Sequence, residues 1–565
     1  METLIIKQPQ KGLRKSDIPE ALLYLQRLTG KYGIITAGIY PIPSFGKRHF
    51  AAKGEIAMFQ IMTAAEAVKS INDHAVIGLN SFAAMANPEK LHEAITQRFR
   101  ETGHPCDLTL ISSAGFGLLD ADRGAEPYIR EGAVGKIIAS HYGTLPVVRK
   151  LVLEDRFEAY NLPLGPMSHA IRAQAGGHDG YFTKTGLGIF VDPRVEGPGL
   201  NGISHDESLV RLVTIEGKEY LRYHLPAPDI ALIKATSVDA NGNISFENEY
   251  CSIDALSLAQ LTRRNHGKVI VQVDRVRADF RRPRDVILPA ALVDAVVVCP
   301  QDRNDELFGT LSGDIHVPST HMQYWYGRLE EENAKIGYER DDLASSIIGN
   351  RAADELRPGD IVNIGIGIPE KAAKFAAEKG ILQDLTLSVE SGGIGGLPAG
   401  GRQFGAMIGA GSISDMSMQF DFYDGGGLDR CFMGALEVDR HGNVNAHRGA
   451  DHYAGVGGFC NITSATKNVV FCFTFSAKGL AVSRENGIIR IEKEGSIPKI
   501  VENVRSISFS GKKAVENGQN VLYITERCVF ALRPEGLALI EVYPGIDKER
   551  DILEKLPFVV ADETA

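Results

Sequence analysis

The sequence has little of what marks a membrane, secreted or nucleic-acid-binding protein. No apolar run approaches the ~20 residues that cross a bilayer, and the only apolar core near the start, Leu4-Ile5-Ile6, is too short for a signal peptide. The seven cysteines form no Cys-x-x-Cys pair, and their odd number argues against a disulfide framework. The net charge is −10 and the basic residues are scattered, which argues against nucleic-acid binding. We therefore expect a cytoplasmic protein that binds neither nucleic acid nor a membrane.

The length and composition are those of a globular protein with more than one domain. With 565 residues, the chain can bury two or more separate cores. Its 44% hydrophobic and 23% charged residues are ordinary values for such proteins. The 60 glycines gather in short groups, which is typical of tight turns above strands and not of a low-complexity tract.

Segments of the first half recur in the second half. From Thr63 onward, helical patterns alternate with short apolar runs, which indicates a parallel α/β sheet. The tetrapeptide Asp-Leu-Thr-Leu at 107–110 recurs at 384–387, and Val-Asp-x-x-Gly-Asn occurs at 238–243 and again at 438–443. The hexapeptide taken alone indicates only a hairpin turn. Because the matches keep their order, we predict two similar domains.

The predicted fold class is α/β, with two similar open, parallel-sheet domains. We place an amino-terminal extension at 1–65, a first domain at 66–320, a linker at 321–335 and a second domain at 336–565.

A candidate nucleophile lies at the end of one predicted strand. The apolar run 384–389 ends at Glu390, and four glycines follow within six residues. A glutamate is usually a solvated surface residue, but such residues seldom end an apolar strand and lead into glycines. No Gly-Lys-Ser/Thr follows, so the glycines are not a common phosphate-binding loop. The first copy has Ser113 at the matching position, so a cleft between the halves would hold one carboxylate nucleophile.

A second glycine-rich loop, 455–459, reads Gly-Val-Gly-Gly-Phe. It could be a plain tight turn. A Gly-Gly step that leads into structured backbone can also direct N–H groups at a developing oxyanion.

Five segments of the second half resemble signatures of class I coenzyme A transferases, and three of them belong to its general motifs. These are Ser-Val-Glu-Ser-Gly-Gly-Ile-Gly-Gly at 388–396, Gly-Ala-Leu-Glu-Val-Asp-Arg-His-Gly-Asn-Val-Asn at 434–445, and the loop at 455–459. Gln-Phe-Asp-Phe-Tyr-Asp-Gly-Gly-Gly-Leu-Asp at 419–429 and Tyr-Ile-Thr-Glu-Arg at 523–527 are similar to the fused, single-chain acetate/propionate branch.

The resemblance extends to the first half through weaker matches. They are Val-Asp-Pro-Arg at 191–194, Pro-Leu-Gly at 163–165 and Ala-Pro-Asp-Ile-Ala at 227–231. The family's commoner Ser-Glu-Asn-Gly is replaced here by Val-Glu-Ser-Gly at 389–392. The family implies fused α-like and β-like halves of the NagB/RpiA/CoA-transferase type.

The resemblance implies a ping-pong transfer of coenzyme A between short-chain carboxylic acids such as acetate and propionate. Glu390 would form a mixed anhydride and then a glutamyl-CoA thioester. Backbone N–H groups near Gly457 and Gly458 would bind the oxyanion. The glycines expected to lie against coenzyme A are Gly392, Gly393, Gly395 and Gly455.

The family also implies coenzyme A as a substrate, no metal or other cofactor, and a homo-oligomer that is a dimer or a tetramer. Two alternatives stay open. An acyl-CoA hydrolase on the same scaffold would let water attack the glutamyl intermediate. A non-catalytic sensor would bind a small molecule, because fold does not imply function, but it would leave Glu390 unexplained.

Overall fold

The computed structural model describes residues 59–300 and 342–564, apart from residues 118, 280, 281, 401, 402 and 452. The predicted linker 321–335 and most of the predicted extension 1–65 lie outside the described residues. Within the described part, no helix is long and apolar enough to cross a membrane. The boundaries predicted for the two domains stay predictions.

The described strands before residue 300 include one large parallel sheet. In chain order, the strands are β1 (Gln60–Ile61), β2 (Val76–Asn80), β3 (Leu108–Ser112), β4 (Val134–Ala139), β5 (Glu158–Asn161), β6 (Tyr181–Thr183), β7 (Val210–Ile215), β8 (Lys218–Tyr223), β9 (Ile230–Val238), β10 (Ile244–Ser245), β11 (Lys268–Val276) and β12 (Ala295–Val298). The sheet order is β1-β12-β11-β9-β2-β3-β4-β5, with every neighbouring pair parallel. Strand β10 pairs antiparallel with β9, and β6-β8-β7 form a separate antiparallel sheet.

The described strands after residue 342 include a second large sheet. They are β13 (Ile361–Ile364), β14 (Thr386–Ser388), β15 (Gly393–Ile394), β16 (Leu397–Pro398), β17 (Met407–Ile408), β18 (Ser412–Ile413), β19 (Arg430–Gly434), β20 (Glu437–Asp439), β21 (Val444–Asn445), β22 (Asn468–Cys472), β23 (Ser476–Ala477), β24 (Ala481–Glu485), β25 (Ile488–Lys493), β26 (Ile497–Pro498), β27 (Ile500–Val501), β28 (Asn520–Ile524), β29 (Cys528–Arg533), β30 (Gly536–Val542) and β31 (Ala561–Asp562). The sheet order is β18-β15-β14-β13-β19-β22-β28-β29-β30-β31. Its central strands, from β14 to β28, run parallel.

The two sheets repeat one topology. The order β3-β2-β9-β11-β12 in the first sheet corresponds to β14-β13-β19-β22-β28 in the second. The repeated tetrapeptide 107–110 runs into β3, and its copy at 384–387 runs into β14. In each sheet, the chain first adds strands on one side of the first central strand, β2 or β13, and later on its other side. The place where the direction changes is a switch point, at which α/β proteins bind ligands. The predicted α/β fold with two similar halves is thus confirmed.

The repeated hexapeptide forms the same turn in both halves. The Asp239 carboxylate accepts hydrogen bonds from the Asn241 and Asn243 N–H groups, each at 2.9 Å. The Asp439 carboxylate accepts the equivalent bonds from His441 at 2.9 Å and Asn443 at 3.0 Å. As the hexapeptide taken alone indicates, each turn closes a short antiparallel pair, β9 with β10 and β20 with β21.

Helices connect the parallel strands, as the alternating pattern predicts. The described α-helices are α1 (Ala64–Ala67), α2 (Glu89–Thr102), α3 (Glu126–Arg130), α4 (Pro146–Leu153), α5 (Leu164–Ala175), α6 (Ala255–Arg264), α7 (Leu343–Ala353), α8 (Glu370–Glu378), α9 (Met416–Asp424), α10 (Phe459–Ala465), α11 (Gly511–Glu516) and α12 (Lys548–Asp551). Short 3-10 turns lie at Val68–Ser70, Pro283–Asp285, Ala290–Leu292, Leu382–Asp384 and Leu553–Lys555.

One continuous apolar core includes side chains from both halves. Phe82 and Ile233 of the first half belong to the same buried cluster as Met407 and Phe471 of the second. The ring centroids of Phe82 in the first half and Phe404 in the second half lie 5.9 Å apart. A smaller core covers the other face of the first sheet. Because the halves share a core, the edges of the two sheets are held in fixed positions against each other.

Candidate active site

Glu390 lies at the tip of a tight turn that follows β14. The turn is closed by a hydrogen bond from the Val389 N–H to the Gly393 carbonyl at 2.9 Å. The Ser391 hydroxyl donates to the Gly405 carbonyl and fixes the turn from its other side. Strand β14 is parallel to β13, so the turn places Glu390 at the carboxyl edge of the second sheet. This is the edge at which open α/β sheets bind their ligands.

The Glu390 side chain packs beneath the loop that precedes α10. A Cβ atom added to Gly458 would lie 2.8 Å from the Glu390 Cγ, 3.1 Å from its Oε1 and 3.1 Å from the Phe420 ring. Only glycine therefore fits at position 458 while the carboxylate keeps this position. The predicted residues Glu390 and Gly458 are brought into contact.

Helix α9 supplies two aromatic side chains to this environment. The rings of Phe420 and Tyr423 form an edge-to-face pair with centroids 5.6 Å apart. The Tyr423 hydroxyl donates to the Ser388 hydroxyl at 3.1 Å and accepts from the Asn363 amide at 3.3 Å. Burial raises the pKa of the Tyr423 hydroxyl, and the Glu390 charge raises it further. Neither aromatic residue was predicted as part of the site, although both lie in the motif at 419–429.

The Glu390 carboxylate is desolvated and has no cationic partner among the described residues. Glu390 is half-buried, and burial raises the pKa of its carboxyl group above the ordinary value for glutamate. No described side chain donates a hydrogen bond to it or forms an ion pair with it. A carboxylate with few hydrogen bonds is a stronger nucleophile than one that is solvated or paired, because its lone pairs are less stabilised.

The loop that covers Glu390 is held by the first half of the chain. The Ala454 carbonyl accepts hydrogen bonds from the Tyr142 and Gly143 N–H groups, both at 2.8 Å. The Val456 N–H donates to the Asn161 side chain at 3.0 Å. These partners follow β4 or end β5, so the carboxyl edge of the first sheet positions the loop. The first half thus holds the loop that covers Glu390 of the second half.

The predicted loop glycines have different surroundings. A Cβ atom on Gly455 would lie 2.6 Å from the Ser140 carbonyl oxygen, so this glycine permits the contact between the halves. The Gly457 N–H donates to the Ser140 carbonyl at 2.9 Å. In the described part of the chain, the Gly458 N–H has no hydrogen-bond acceptor. Of the two amides predicted to bind an oxyanion, only that of Gly458 is available in this structure.

The glycines that follow Glu390 lie close to protein atoms. An added Cβ atom would be 2.0 Å from the Ser414 carbonyl at Gly392 and 2.2 Å from the Tyr250 hydroxyl at Gly393. At Gly395 the nearest atom is 3.6 Å away, and the residue is half-buried. At Gly392 and Gly393, the atoms that lie too close for a side chain therefore belong to the protein itself. Their predicted contact with coenzyme A stays a prediction.

The first-half counterpart of Glu390 has a different environment. The Ser113 hydroxyl donates to the buried Asp254 carboxylate at 2.5 Å. Asp254 also accepts a hydrogen bond from the Ser168 hydroxyl at 2.5 Å. The Ser113 hydroxyl is buried and its proton is engaged, so the pseudo-equivalent position carries no nucleophile. Among the described residues, no group of three metal-ligating side chains includes Glu390.

Comparisons with known proteins identify the family of the chain. The family model for coenzyme A transferases matches residues 61–299 and 346–454. The chain is 37% identical over 506 residues to the acetate CoA-transferase YdiF of Escherichia coli K12, covering 88% of this chain and 92% of that protein. It is 38% identical over 514 residues to the caffeate CoA-transferase of Acetobacterium woodii, covering 89% of this chain and 95% of that protein.

A solved structure shares the fold. The thioester complex with CoA of the acyl-CoA transferase YdiF from E. coli O157:H7 superposes with a TM-score of 0.79 at 36% sequence identity. The match covers 89% of this chain and 94% of that chain.

The raised pKa of Glu390 predicts the effect of its neutral isostere on stability. The unfolded chain gives this carboxyl a pKa of ~4.3, and burial raises the folded-state value. The contribution of this carboxyl group to the stability of the folded protein is therefore fully present below the unfolded-state pKa. It is lost as the pH rises through the folded-state pKa. We expect Glu390→Gln to unfold at a higher temperature than the wild type at pH 7 and at an equal temperature near pH 4.

Thermal unfolding followed by calorimetry at both pH values checks this expectation. Glu485→Gln, at an exposed glutamate of the β24–β25 hairpin, is the matched control and should show no gain at pH 7. A Glu390→Gln variant less stable than the wild type at pH 7 would show that the carboxylate has a stabilising partner in the folded protein.

Proposed function

The chain belongs to the coenzyme A transferase family, and we propose that it moves coenzyme A between short-chain carboxylic acids by a ping-pong reaction at Glu390. The observation that carries the proposal is the position of this carboxylate. It is half-buried beneath a loop that the first half of the chain holds, it has no cationic partner among the described residues, and it lies against a glycine with an available N–H group.

In the first proposed step, a Glu390 oxygen attacks the thioester carbonyl of the acyl-CoA donor. The carbon–sulfur bond breaks and coenzyme A leaves as a thiolate, while the acyl group and Glu390 form a mixed anhydride. The thiolate then attacks the glutamyl carbonyl. This second attack releases the donor's carboxylate and leaves coenzyme A bound to Glu390 as a thioester.

The acceptor acid takes coenzyme A by the reverse sequence. Its carboxylate attacks the glutamyl thioester, expels the thiolate and forms a second mixed anhydride. The thiolate attacks the acceptor's carbonyl, and the new acyl-CoA leaves as Glu390 is regenerated. Each thioester bond broken is replaced by another, so the cycle consumes neither water nor an external energy source.

Two features of the site support these steps. Burial raises the pKa of Glu390, so its carboxylate is less stabilised than a solvated one and attacks more readily in its ionised form. Each attack forms a tetrahedral intermediate whose oxygen needs a donor, and one well-placed donor contributes ~3 kcal/mol. We assign this role to the Gly458 N–H in preference to that of Gly457, whose hydrogen is bonded to Ser140.

The proposed substrates are short-chain acids such as acetate and propionate. This choice is supported by the similarity to the acetate CoA-transferase YdiF. A relative of nearly equal identity is named for caffeate, an aromatic acid, so the acyl site differs within this group of proteins. Cytoplasmic location and a homo-oligomeric state stay predictions for this chain.

The proposal predicts transfer that depends on both an acceptor acid and Glu390. With acetyl-CoA and propionate, we expect propionyl-CoA to form. Without an acceptor, free coenzyme A should appear at most at a small fraction of that rate. Glu390→Gln should lower kcat by at least ~10⁴-fold, because an amide is not a nucleophile for this reaction. Chromatography of the acyl-CoA products measures both rates, with Glu485→Gln as the control for handling.

Equal coenzyme A release with and without the acceptor would instead identify a hydrolase. Retained transfer in Glu390→Gln would assign the nucleophile to another residue.

Gly458 and Gly457 offer a paired test of the space above the carboxylate. A methyl group at Gly458 would lie 2.8 Å from the Glu390 Cγ. A displacement of about 1 Å costs on the order of 10²-fold in rate, so Gly458→Ala should lower kcat by at least this factor. Gly457 has φ +54° with no atom within 4 Å of an added Cβ. Gly457→Ala should therefore cost ~1 kcal/mol of stability and retain most of the kcat.

Steady-state kinetics and thermal unfolding of both variants test this pair. Similar kcat values for the two variants would remove Gly458 from the proposed site.

A further inference from the structure

Three metal-ligating side chains meet at the amino-terminal edge of the first sheet. Asp73 lies in the turn before β2, while His104 and Cys106 lie in the segment before β3. The potential ligand atoms of these side chains all lie within 4.8 Å of one another. The strands are parallel, so this edge is opposite to the carboxyl edge that holds the loop over Glu390. The cluster is therefore separate from the proposed active site.

Backbone hydrogen bonds fix the two segments against each other. The Cys106 N–H donates to the Asp73 carboxylate at 2.9 Å. The His74 N–H donates to the Cys106 carbonyl, also at 2.9 Å. The His104 Nδ1 lies 2.7 Å from the second Asp73 oxygen. These contacts place the three side chains together before any ligand is bound, which lowers the entropic cost of binding an ion.

We propose that Asp73, His104 and Cys106 form a zinc-binding site. A thiolate, an imidazole and a carboxylate are together the donor set that zinc takes, and magnesium or calcium would not select the thiol. With bonds of about 2.0–2.3 Å, tetrahedral zinc ligands lie roughly 3.5 Å apart. The present spacing of at most 4.8 Å thus requires shifts of about 1 Å in one exposed and two half-buried side chains.

Binding changes the protonation of the cluster in a defined way. The Cys106 thiol releases its proton to water as the sulfur–zinc bond forms. Neutral His104 carries its single proton on Nε2, and the lone pair of Nδ1 binds the metal in place of its contact with Asp73. One Asp73 oxygen binds the metal while the other keeps its hydrogen bond from the Cys106 N–H. The fourth position is open to water, since the His104 side chain is 56% exposed.

A neighbouring histidine–aspartate ion pair is similar to this cluster but has no thiol. His74 and Asp107 form an ion pair at 2.8 Å on the same surface, with side chains 74% and 61% exposed. Such a pair is an ordinary surface contact worth little to stability. The Asp73 cluster differs because a half-buried cysteine adds a third, soft ligand. Because its ligands come from two chain segments, bound zinc should stabilise the folded protein by mass action.

Cobalt titration of the full chain tests the proposal, because a cobalt–thiolate bond gives a charge-transfer absorption that zinc lacks. We expect one Co²⁺ per chain to produce this band and zinc to abolish it. Cys106→Ser should remove the band, and Asp73→Asn should weaken cobalt binding at least 10-fold. Two controls should keep the band: Cys299→Ser, which removes the other half-buried thiol, and His74→Gln, which breaks the neighbouring pair.

A second measurement uses the wild-type protein and therefore does not depend on the folding of a variant. Zinc should slow the alkylation of Cys106 by iodoacetamide at least 10-fold, as followed by peptide mass spectrometry, and should leave that of Cys299 unchanged. No band at one equivalent of cobalt, or unprotected Cys106 in saturating zinc, would overturn the proposal. Coenzyme A transfer is expected to be unchanged in Cys106→Ser.

Discussion

The structure depends on the hydrogen bonds between the loop before α10 and the carboxyl edge of the first sheet. The Ala454 carbonyl and the Val456 and Gly457 N–H groups all bond to the segment after β4 or to the end of β5. These bonds fix Gly458 against Glu390, which the second sheet supplies. The nucleophile and the loop that covers it both belong to the second half, but the first half holds that loop in place. The site therefore depends on both halves, which one continuous apolar core joins.

The environment of Glu390 lowers the stability of the folded protein and favours the proposed reaction. Burial raises the pKa of Glu390, and the described residues provide no cation to offset it. An ionised carboxylate in this position destabilises the folded protein relative to the unfolded chain. The same lack of stabilisation favours attack by this carboxylate on a thioester. A carboxylate that is well solvated by water would attack slowly. A destabilised group of this kind persists where the surrounding structure holds it firmly in place. Here the turn at Val389–Gly393 and the core beneath it hold Glu390.

The sequence was sufficient to predict the α/β class, the internal repeat and the position of Glu390, because each is written in local pattern. An apolar strand, a carboxylate and glycines are neighbours in the chain. The roles of the glycines could not be separated in this way. Gly392 and Gly393 accommodate Ser414 and Tyr250, and a sequence does not distinguish close approach of protein from close approach of a ligand. The partner of the Gly457 N–H was equally hidden, since Ser140 lies more than 300 residues away along the chain.

The proposed reaction requires Glu390 to carry coenzyme A from one acid to the other. The most direct measurement is intact-protein and peptide mass spectrometry after the enzyme is mixed with acetyl-CoA and quenched in acid without an acceptor. We expect a mass increase equal to coenzyme A less one water, located on the peptide that contains Glu390 and absent from Glu390→Gln. Turnover with no such adduct, or an adduct on another residue, would show that Glu390 is not the carrier.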